Sequence, residues 1–326
     1  MESEIEKITF GPVPSRRLGR SLGINNIPPK ICPYSCIYCQ VGRTLNMQVD
    51  RHEFYKPEKI FQDVEENVHV SKHRGEGIDY LTFVPNGEPT LDIHLGREIT
   101  LLKKLGIKIA VITNSSLLWR EDIRNELAMA DWVSLKIDSL SRNVWRRINR
   151  PYGSLRLDQI LNGISEFTRS FQGELTTETM LVQSVNDREE EIEKIAMFIA
   201  KIKPQKSFIA IPTRPPAERW AKPPEEYFIN MTYQVFREKS LTTEYLVGYE
   251  GNAFASTGNV EEDLLSITSV HPMREEAVRE FLKKAKADWS VIDNLIHENK
   301  FIEVSHKDKK FYLRKIGEWK RKGRIP

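Results

Sequence analysis

The chain has 326 residues, of which 40% are hydrophobic and 9% aromatic, and its formal net charge at pH 7 is +3. This length and composition suffice for a hydrophobic core, which excludes a disordered chain and allows one large domain or two modest ones. No stretch is long and apolar enough for a membrane span, and the acidic N-terminus lacks the apolar core of a signal peptide. We therefore expect a protein of the cytoplasm, without membrane contact.

Strand-like and helix-like segments alternate along most of the chain. Apolar runs typical of strands lie at residues 22–24, 78–84, 107–113, 132–137, 174–181 and 207–211. Apolar residues at helical spacing predict helices at residues 57–70, 92–105, 117–129, 155–168, 188–202 and 223–239. Strands that alternate with amphipathic helices form a parallel sheet covered by those helices. The sequence therefore predicts an α/β fold with six strands in this region, and residues 245–248 predict a further short strand.

The C-terminal part of the chain has a different pattern. Helices are expected at residues 260–270, 273–285 and 289–298, and a β-hairpin at residues 301–315. Helices followed by a hairpin resemble a winged-helix domain. We predict a core domain at residues 1–250, a linker at residues 251–258 and a winged-helix-like α+β domain at residues 259–326.

The end of the chain is basic. Residues 299–326 contain ten Lys or Arg and three Asp or Glu, a net charge of +7, whereas the rest of the chain has a net charge of −4. A basic segment on a slightly acidic body favours a polyanionic partner. We expect this domain to contact RNA or another protein.

All three cysteines lie within one eight-residue segment, Cys32-Pro-Tyr-Ser-Cys36-Ile-Tyr-Cys39. Their odd number argues against disulfides, and packing does not explain why they cluster. Zinc is an alternative, but a structural zinc site needs four ligands and the nearest histidine is His52. Three thiolates without a fourth ligand suit a cubane iron–sulfur cluster, in which one iron stays open to another ligand.

The C-x3-C-x2-C spacing, with Tyr38 directly before the last cysteine, resembles the signature of the radical S-adenosylmethionine (radical SAM) superfamily. This resemblance implies a partial (β/α)6 TIM-type barrel. It also implies one [4Fe–4S] cluster on Cys32, Cys36 and Cys39, with S-adenosylmethionine (SAM) on the open iron. An electron from the cluster would cleave SAM to a 5′-deoxyadenosyl radical, which abstracts hydrogen from a substrate. Such an enzyme needs a low-potential electron donor of the flavodoxin or ferredoxin type.

Polar motifs follow the predicted strands, at the edge of the sheet where ligands bind. Gly87-Glu88-Pro89 follows the second strand and resembles the superfamily's GGEP motif, with Asn86 in place of the first glycine. The resemblance implies that this motif binds the ammonium group of SAM. Asn114 ends the third strand, where it would bind the ribose or methionyl part of SAM.

The fourth strand carries Ser134, Lys136 and Asp138 on one face, because alternate residues of a strand point the same way. Burial of a lysine and an aspartate is costly unless they form an ion pair or bind a ligand. An internal ion pair is one interpretation. The resemblance instead assigns Lys136 and Asp138 to the carboxylate and ribose of SAM, with Ser134 beside them.

Two further residues are candidates for substrate contacts. Arg214 lies in a proline-rich turn after the sixth strand, which should face the barrel mouth, and its guanidinium would bind an anionic group. Glu178 lies in the fifth strand and would contact SAM or substrate, although an exposed carboxylate at the sheet edge fits the pattern equally well.

The substrate is not evident from the sequence. The run GPVPSRRLGRSLG at residues 11–23 resembles radical SAM proteins related to archaeal wyosine (tRNA) synthases. Those enzymes are expected to have additional cysteines for a second cluster, which this chain lacks, so RNA modification is only one hypothesis. Two alternatives are an activating enzyme that acts on a partner protein and an iron–sulfur regulator that binds DNA.

Overall fold

The computed structural model describes residues 8–246, 259–270, 272–306 and 309–315. The predicted linker at residues 251–258 lies outside these ranges. The strands are β1 (Thr9–Ser15), β2 (Gly19–Ile24), β3 (Ile31–Cys32), β4 (Asn46–Met47), β5 (Tyr80–Phe83), β6 (Lys108–Thr113), β7 (Trp132–Lys136), β8 (Glu174–Met180), β9 (Lys206–Ala210), β10 (Thr243–Leu246), β11 (Met273–Arg274), β12 (Phe301–His306) and β13 (Lys309–Arg314). The α-helices are α1 (Pro57–His73), α2 (Leu95–Leu102), α3 (Glu121–Leu127), α4 (Arg142–Asn149), α5 (Leu157–Ser170), α6 (Glu189–Ile202), α7 (Glu226–Glu238), α8 (Val260–Val270), α9 (Glu275–Lys284) and α10 (Ser290–His297). Within the described ranges, none of these helices is long and apolar enough to cross a membrane.

Eight strands form one open sheet in the order β1-β2-β5-β6-β7-β8-β9-β10. β1 and β2 are antiparallel, and all other neighbours in the sheet are parallel. The six predicted strands correspond to β2 and β5–β9, and the further short strand that is predicted overlaps β10, a seventh parallel strand. The sheet is covered by helices on one face, so the predicted α/β partial barrel is confirmed.

Two elements of the sheet region are not predicted from the sequence. Residues of β1 are expected in a loop because Pro12 and Pro14 interrupt them, yet an edge strand needs ladder partners on one side only and tolerates proline. α4 is also missed, because Val144, Trp145 and Ile148 are its only apolar residues.

Two predicted helices are shorter than expected because turns precede them. The side chain of Asp92 accepts a hydrogen bond from the backbone nitrogen of His94 at 2.8 Å, so α2 begins only at Leu95. Arg120 has an extended backbone, and α3 therefore begins at Glu121.

The main core lies between the sheet and its covering helices. Alternate residues of the central strands are fully buried there: Leu81 and Phe83 in β5, Ile109 and Val111 in β6, Val133 and Leu135 in β7. Because neighbouring strand residues point to opposite faces, Ser134 and Lys136 face away from this core. A smaller apolar cluster that includes Trp132 and Phe208 fills the inner face of the sheet.

The C-terminal elements pack against the edge of the sheet. Their three strands are antiparallel in the order β11-β13-β12, and β12 and β13 are the predicted hairpin. Leu264 and Ile267 of α8 share a buried cluster with Phe10 of β1. The hydroxyl of Ser266 donates to the carbonyl of Thr9 at 2.9 Å. The winged-helix assignment and the domain limits stay predictions.

α5 approaches the segment after β6 closely at Gly163, since a Cβ at this position would lie 2.2 Å from the carbonyl oxygen of Leu118. Alanine usually stabilises a helix interior by about 1 kcal/mol relative to glycine. Here the backbone would have to move, so we expect Gly163→Ala to lower the free energy of unfolding by about 1–3 kcal/mol in urea denaturation of the full chain. Gly153→Ala is the control, because nothing lies within 4 Å of a Cβ there. Equal stability of the two variants would contradict the close approach.

Candidate functional site

The three cysteines lie in a loop over the carboxyl ends of the parallel strands. Cys32 ends β3, and the backbone nitrogen of Cys39 donates to the carbonyl of Cys36 at 3.1 Å. All three thiols are free and line a cavity of about 280 Å³. Other parts of its wall come from β6–β10, from the turn between β1 and β2, from the loop after β5 and from the turn after β9. The loop and the strand ends therefore enclose one site, as the sequence predicts.

The C-terminal end of α4 sets the conformation of the cysteine loop. The backbone nitrogen of Ser35 donates to the carbonyl of Asn149 at 3.0 Å. The nitrogen of Ile37 donates to the carbonyl of Ile148, also at 3.0 Å. α4 ends at Asn149, and Arg150 directly after it has a left-handed backbone with a φ of 46°. A helix that the sequence pattern does not predict thus positions the cysteines.

Two asparagine amides donate hydrogen bonds to the sulfur atoms. Nδ2 of Asn114 lies 3.2 Å from Sγ of Cys32, and Nδ2 of Asn149 lies 3.4 Å from Sγ of Cys36. Burial raises the pKa of all three thiols, to about 12 for Cys36. The thiolate forms therefore need positive charge nearby, which a metal cluster supplies, and the amides stabilise sulfur that carries negative charge. Asn114 contacts the cysteine loop directly rather than lining the large cavity.

Glu88 is almost fully buried, and its carboxylate accepts several hydrogen bonds from neighbouring protein groups. It accepts hydrogen bonds from the hydroxyl of Thr113 at 2.6 Å and from the backbone nitrogen of Asn114 at 2.8 Å. The hydroxyl of Thr90 donates to it at 2.7 Å. Burial raises the pKa of Glu88, while these donors oppose that change. The side chain therefore joins the motif to the end of β6.

Gly87 permits a backbone contact that positions β3. A Cβ on Gly87 would lie 2.1 Å from the carbonyl oxygen of Ile31, so no other residue fits without moving the start of the cysteine loop. The nitrogen of Lys30 donates to the carbonyl of Asn86 at 2.5 Å and holds the same two segments together. Gly87 and Asn86 line the cavity, whereas Pro89 begins a 3₁₀ turn outside it.

Lys136 forms its ion pair with Glu178, and its Nζ lies 2.9 Å from Oε1. Arg17 binds the other carboxylate oxygen of Glu178. Burial alone would raise the pKa of Glu178, but the two cations overcome this and hold that pKa at about 2. Glu178 is buried, so the interpretation as an exposed carboxylate at the sheet edge is wrong. It lines the cavity together with both of its partners.

Asp138 uses both of its carboxylate oxygens within the protein. Oδ1 accepts from the backbone nitrogen of Met180 at 2.9 Å, and Oδ2 accepts from Nδ2 of Asn149 at 2.8 Å. The hydroxyl of Tyr38 also donates to Oδ2. Burial raises the pKa of Asp138, and Lys136 opposes this change. Asp138 does not line the large cavity, and in this arrangement it positions Tyr38 and Asn149. Its predicted contact with the ribose of SAM stays a prediction.

The remaining predicted residues differ in position. Ser134 is buried on the inner face of β7, and its hydroxyl has no hydrogen-bond partner among the described residues. Arg214 lines the cavity, and its Nη1 donates to Oε1 of Gln40 at 2.8 Å. Tyr38 also lines the cavity, with the ammonium of Lys136 4.9 Å from its ring centroid.

Glu218, in the segment after β9, also binds the cysteine loop. Its backbone nitrogen donates to the carbonyl of Ile37 at 2.9 Å. Its carboxylate accepts from Arg43 at 2.9 Å and from Arg150 at 2.5 Å. No sequence signal predicts that Glu218 binds the cysteine loop or that Asn149 donates to Cys36. In each case the two contacting residues are far apart along the chain.

The donor set fits a cluster. Over the described ranges, no three His, Cys, Asp or Glu side chains lie close enough to share one metal ion. In an iron–sulfur cluster each thiolate binds a different iron, so the three ligands need not converge on one point. The three free thiols line the cavity, and asparagine amides donate hydrogen bonds to two of them. This arrangement matches that requirement.

Residues 26–199 match the family model described as the radical SAM superfamily, which is just over half of the chain. The chain belongs to this superfamily. A UPF0026 protein of Methanocaldococcus jannaschii is 49% identical over 311 residues, 95% of this chain and 96% of that protein. An S-adenosylmethionine-dependent nucleotide dehydratase of Flammeovirga pacifica is 24% identical over 256 residues, 75% of this chain and 79% of that protein.

A radical SAM methyltransferase from Sphaerobacter thermophilus shares the fold of the chain. The TM-score is 0.51 at 13% sequence identity, and the match covers 72% of this chain and 69% of that one. Membership of the radical SAM superfamily, predicted from the cysteine spacing, is therefore confirmed together with the partial barrel. The ligand contacts of individual residues stay predictions.

The ion pair of Glu178 has a testable effect on stability. Because its pKa is lowered to about 2, the stabilisation is present above the ordinary carboxyl pKa and is lost as the pH falls through about 2. We expect Glu178→Gln to lower the free energy of unfolding at pH 7 by about 3 kcal/mol, because two partly buried cations lose their buried partner. The difference in free energy of unfolding between the variant and the native chain should become smaller below about pH 4.5. Urea denaturation at a series of pH values measures it.

The control for this variant is Glu190→Gln, which breaks an exposed ion pair with Lys194. Exposed pairs contribute about 0–1 kcal/mol, so this change should be small at every pH. A Glu178→Gln effect no larger than that of the control would contradict the buried pairing.

Proposed function

We propose that the chain holds one [4Fe–4S] cluster on Cys32, Cys36 and Cys39 and is a radical SAM enzyme that abstracts hydrogen from its substrate. The observation that carries this proposal is the position of the three thiols, on one wall of a cavity at the carboxyl ends of a parallel sheet. Ligands bind at this edge in α/β folds. Three cysteines leave one iron open for SAM.

The side chains around the cavity have distinct proposed roles. When bound, the cluster supplies the electron that cleaves SAM to a 5′-deoxyadenosyl radical. Asn114 and Asn149 donate to the sulfur atoms and stabilise their negative charge. Gly87 lets the motif backbone approach a ligand, and the partly exposed ammonium of Lys136 faces the carboxylate of SAM.

The inner wall of the cavity limits side reactions. Ile112, Ala210 and Leu246 contribute apolar surface opposite the cysteine loop. A primary carbon radical abstracts hydrogen from accessible C–H and S–H groups, so the site must hold the substrate hydrogen closest to the radical and keep solvent out. Apolar side chains are suited to the exclusion of water because they offer it no hydrogen-bond partner.

The substrate class is the open part of the proposal. By its name, the Flammeovirga relative acts on a nucleotide, which supports a nucleotide or RNA substrate here. The basic residues 299–326 would then contact RNA or a partner protein, and a flavodoxin or ferredoxin would supply the electron. The predicted winged-helix character of residues 259–326 belongs to the same proposal.

The central experiment is anaerobic reconstitution of the full chain with iron and sulfide, followed by reduction with dithionite in the presence of SAM. We expect roughly four irons per chain and formation of 5′-deoxyadenosine. Well-folded, cluster-loaded protein that yields no 5′-deoxyadenosine would contradict the proposal. Salt-dependent DNA binding without SAM turnover would favour the regulator, and radical formation on a co-purified protein would favour the activating enzyme.

A matched pair of variants tests the cluster ligands. Cys36→Ser should lose most of the bound iron and abolish 5′-deoxyadenosine formation, because a cluster with two thiolates is weakly held. Ser35→Ala, one residue earlier in the same loop, should keep both the bound iron and the formation of 5′-deoxyadenosine. Iron analysis and the product assay measure these outcomes, and a Cys36→Ser cluster with unchanged stoichiometry and turnover would contradict the assignment.

A further inference from the structure

The helix that holds the cysteine loop is strongly basic. Residues 139–157, which contain α4 and the segments on either side of it, include five arginines and no aspartate or glutamate. Three of them, Arg142, Arg146 and Arg147, lie in α4, and each is exposed. Over the described part of the chain, none of these three forms an ion pair with a carboxylate. The outer side of α4 therefore presents positive charge to the solvent.

Two carboxylates next to α4 are already occupied by other groups. Glu191, at the start of α6, is partly buried beneath the N-terminal end of α4 and accepts from the hydroxyl of Ser139 at 2.5 Å. Glu218, near its C-terminal end, binds Arg43 and Arg150. Neither carboxylate neutralises the three exposed arginines of α4.

Aromatic side chains are exposed beside this helix. Trp220 is 45% exposed, and its neighbour Ala221 shares a buried cluster with Ile37 of the cysteine loop and Ile148 of α4. Tyr152, in the turn after α4, is 39% exposed, and its backbone nitrogen donates to the cysteine loop at 2.8 Å. Arginine, tryptophan and tyrosine are enriched at protein–protein interfaces. The surface around α4 therefore has the composition of such an interface.

This surface lies close to the thiols but outside the cavity. Nδ2 of Asn149, in the last turn of α4, is 3.4 Å from Sγ of Cys36. A helix with its side chains is about 10–12 Å across, so a protein on the outer side of α4 would lie about one helix diameter from this sulfur. Electrons pass between proteins over such distances. Of the arginines that the structure describes in α4, none lines the cavity, so a protein bound there leaves the cavity to the substrate.

We propose that the outer side of α4, together with Trp220 and Tyr152, is the docking site of an acidic electron-transfer protein that reduces the cluster. This inference rests on the proposed function, because the cluster must receive an electron before SAM is cleaved. One electron moves from the reduced donor to the oxidised cluster. The donor is thereby oxidised by one electron, and no bond forms or breaks in this step.

Charge complementarity favours this partner. Electron donors of the flavodoxin and ferredoxin type are acidic proteins, and opposite charges on two surfaces speed their encounter and orient them. Electron-transfer complexes are also small, with less than about 1,200 Å² of buried surface, which suits one short helix and two aromatic side chains. Arginines attract RNA as well, but a substrate must react inside the cavity, whereas an electron donor only needs to approach the cluster from outside.

The test compares two reductants on the cluster-loaded full chain at low ionic strength. With an acidic flavodoxin and its reductase as the electron source, Arg146→Glu and Arg147→Glu should each raise the flavodoxin concentration needed for half-maximal 5′-deoxyadenosine formation by about fivefold or more. With dithionite, which needs no docking site, both variants should match the native chain. The matched control is Arg169→Glu, an exposed arginine at the end of α5, before β8 begins. It should match the native chain with both reductants.

Binding is measured separately, by titration of the flavodoxin into the same proteins. We expect one flavodoxin per chain and a Kd that rises with salt, because exposed charges are screened. Arg146→Glu and Arg147→Glu should weaken this binding by about the same factor as in the assay, whereas Arg147→Lys, which keeps the charge, should retain most of it.

Three results would overturn the inference. They are the absence of flavodoxin binding to the native chain, equal binding by the two α4 variants and Arg169→Glu, and equal loss of the flavodoxin-driven and dithionite-driven reactions in the α4 variants. A short RNA that binds the native chain more tightly than flavodoxin does, and loses affinity in the same α4 variants, would also overturn it, because α4 would then be a nucleic-acid site.

Failure of this inference and failure of the proposed function are distinguishable. Native chain that forms 5′-deoxyadenosine with dithionite, while the α4 variants use flavodoxin as well as the native chain does, refutes the docking site alone. Cluster-loaded native chain that forms no 5′-deoxyadenosine with either reductant contradicts the proposed function.

Discussion

A buried carboxylate must have hydrogen-bond donors or a paired cation, and this constraint holds the cysteine loop in place. The loop has little regular structure of its own, because β3 and β4 have only two residues each. Glu88 joins the loop after β5 to the end of β6, and Asp138 joins β7 to Tyr38 and Asn149. Glu218 connects the segment after β9 to the loop. Each carboxylate takes donors from different elements, so satisfying it fixes their relative positions.

This use of carboxylates shapes the chemistry of the cavity. Glu88 and Asp138 accept their hydrogen bonds from protein donors behind the cavity wall. Glu178 lies on the wall itself, where Lys136 and Arg17 hold it. The carboxylates that hold the site together therefore also fix the positions of two basic side chains on its wall.

Local signals made the fold and the cluster ligands predictable. Strand and helix periodicities are properties of short segments, and the spacing of Cys32, Cys36 and Cys39 lies within eight residues. β1 and α4 were harder to predict because Pro12 and Pro14 in β1, and the many arginines of α4, weaken those periodicities. The alternation also placed Gly87 and Lys136 at the correct edge of the sheet. What it did not provide was the direction in which each polar side chain turns.

The sequence by itself determined the superfamily, the parallel sheet and the three thiols, because these depend on local pattern and spacing. Only the tertiary structure decided the partners of the polar residues. It paired Lys136 with Glu178 rather than with Asp138, turned Glu88 into the protein, and brought Asn149 to Cys36 across 113 residues of sequence. Such pairings depend on which buried donors and acceptors the packed elements bring within reach, and no local pattern encodes that geometry.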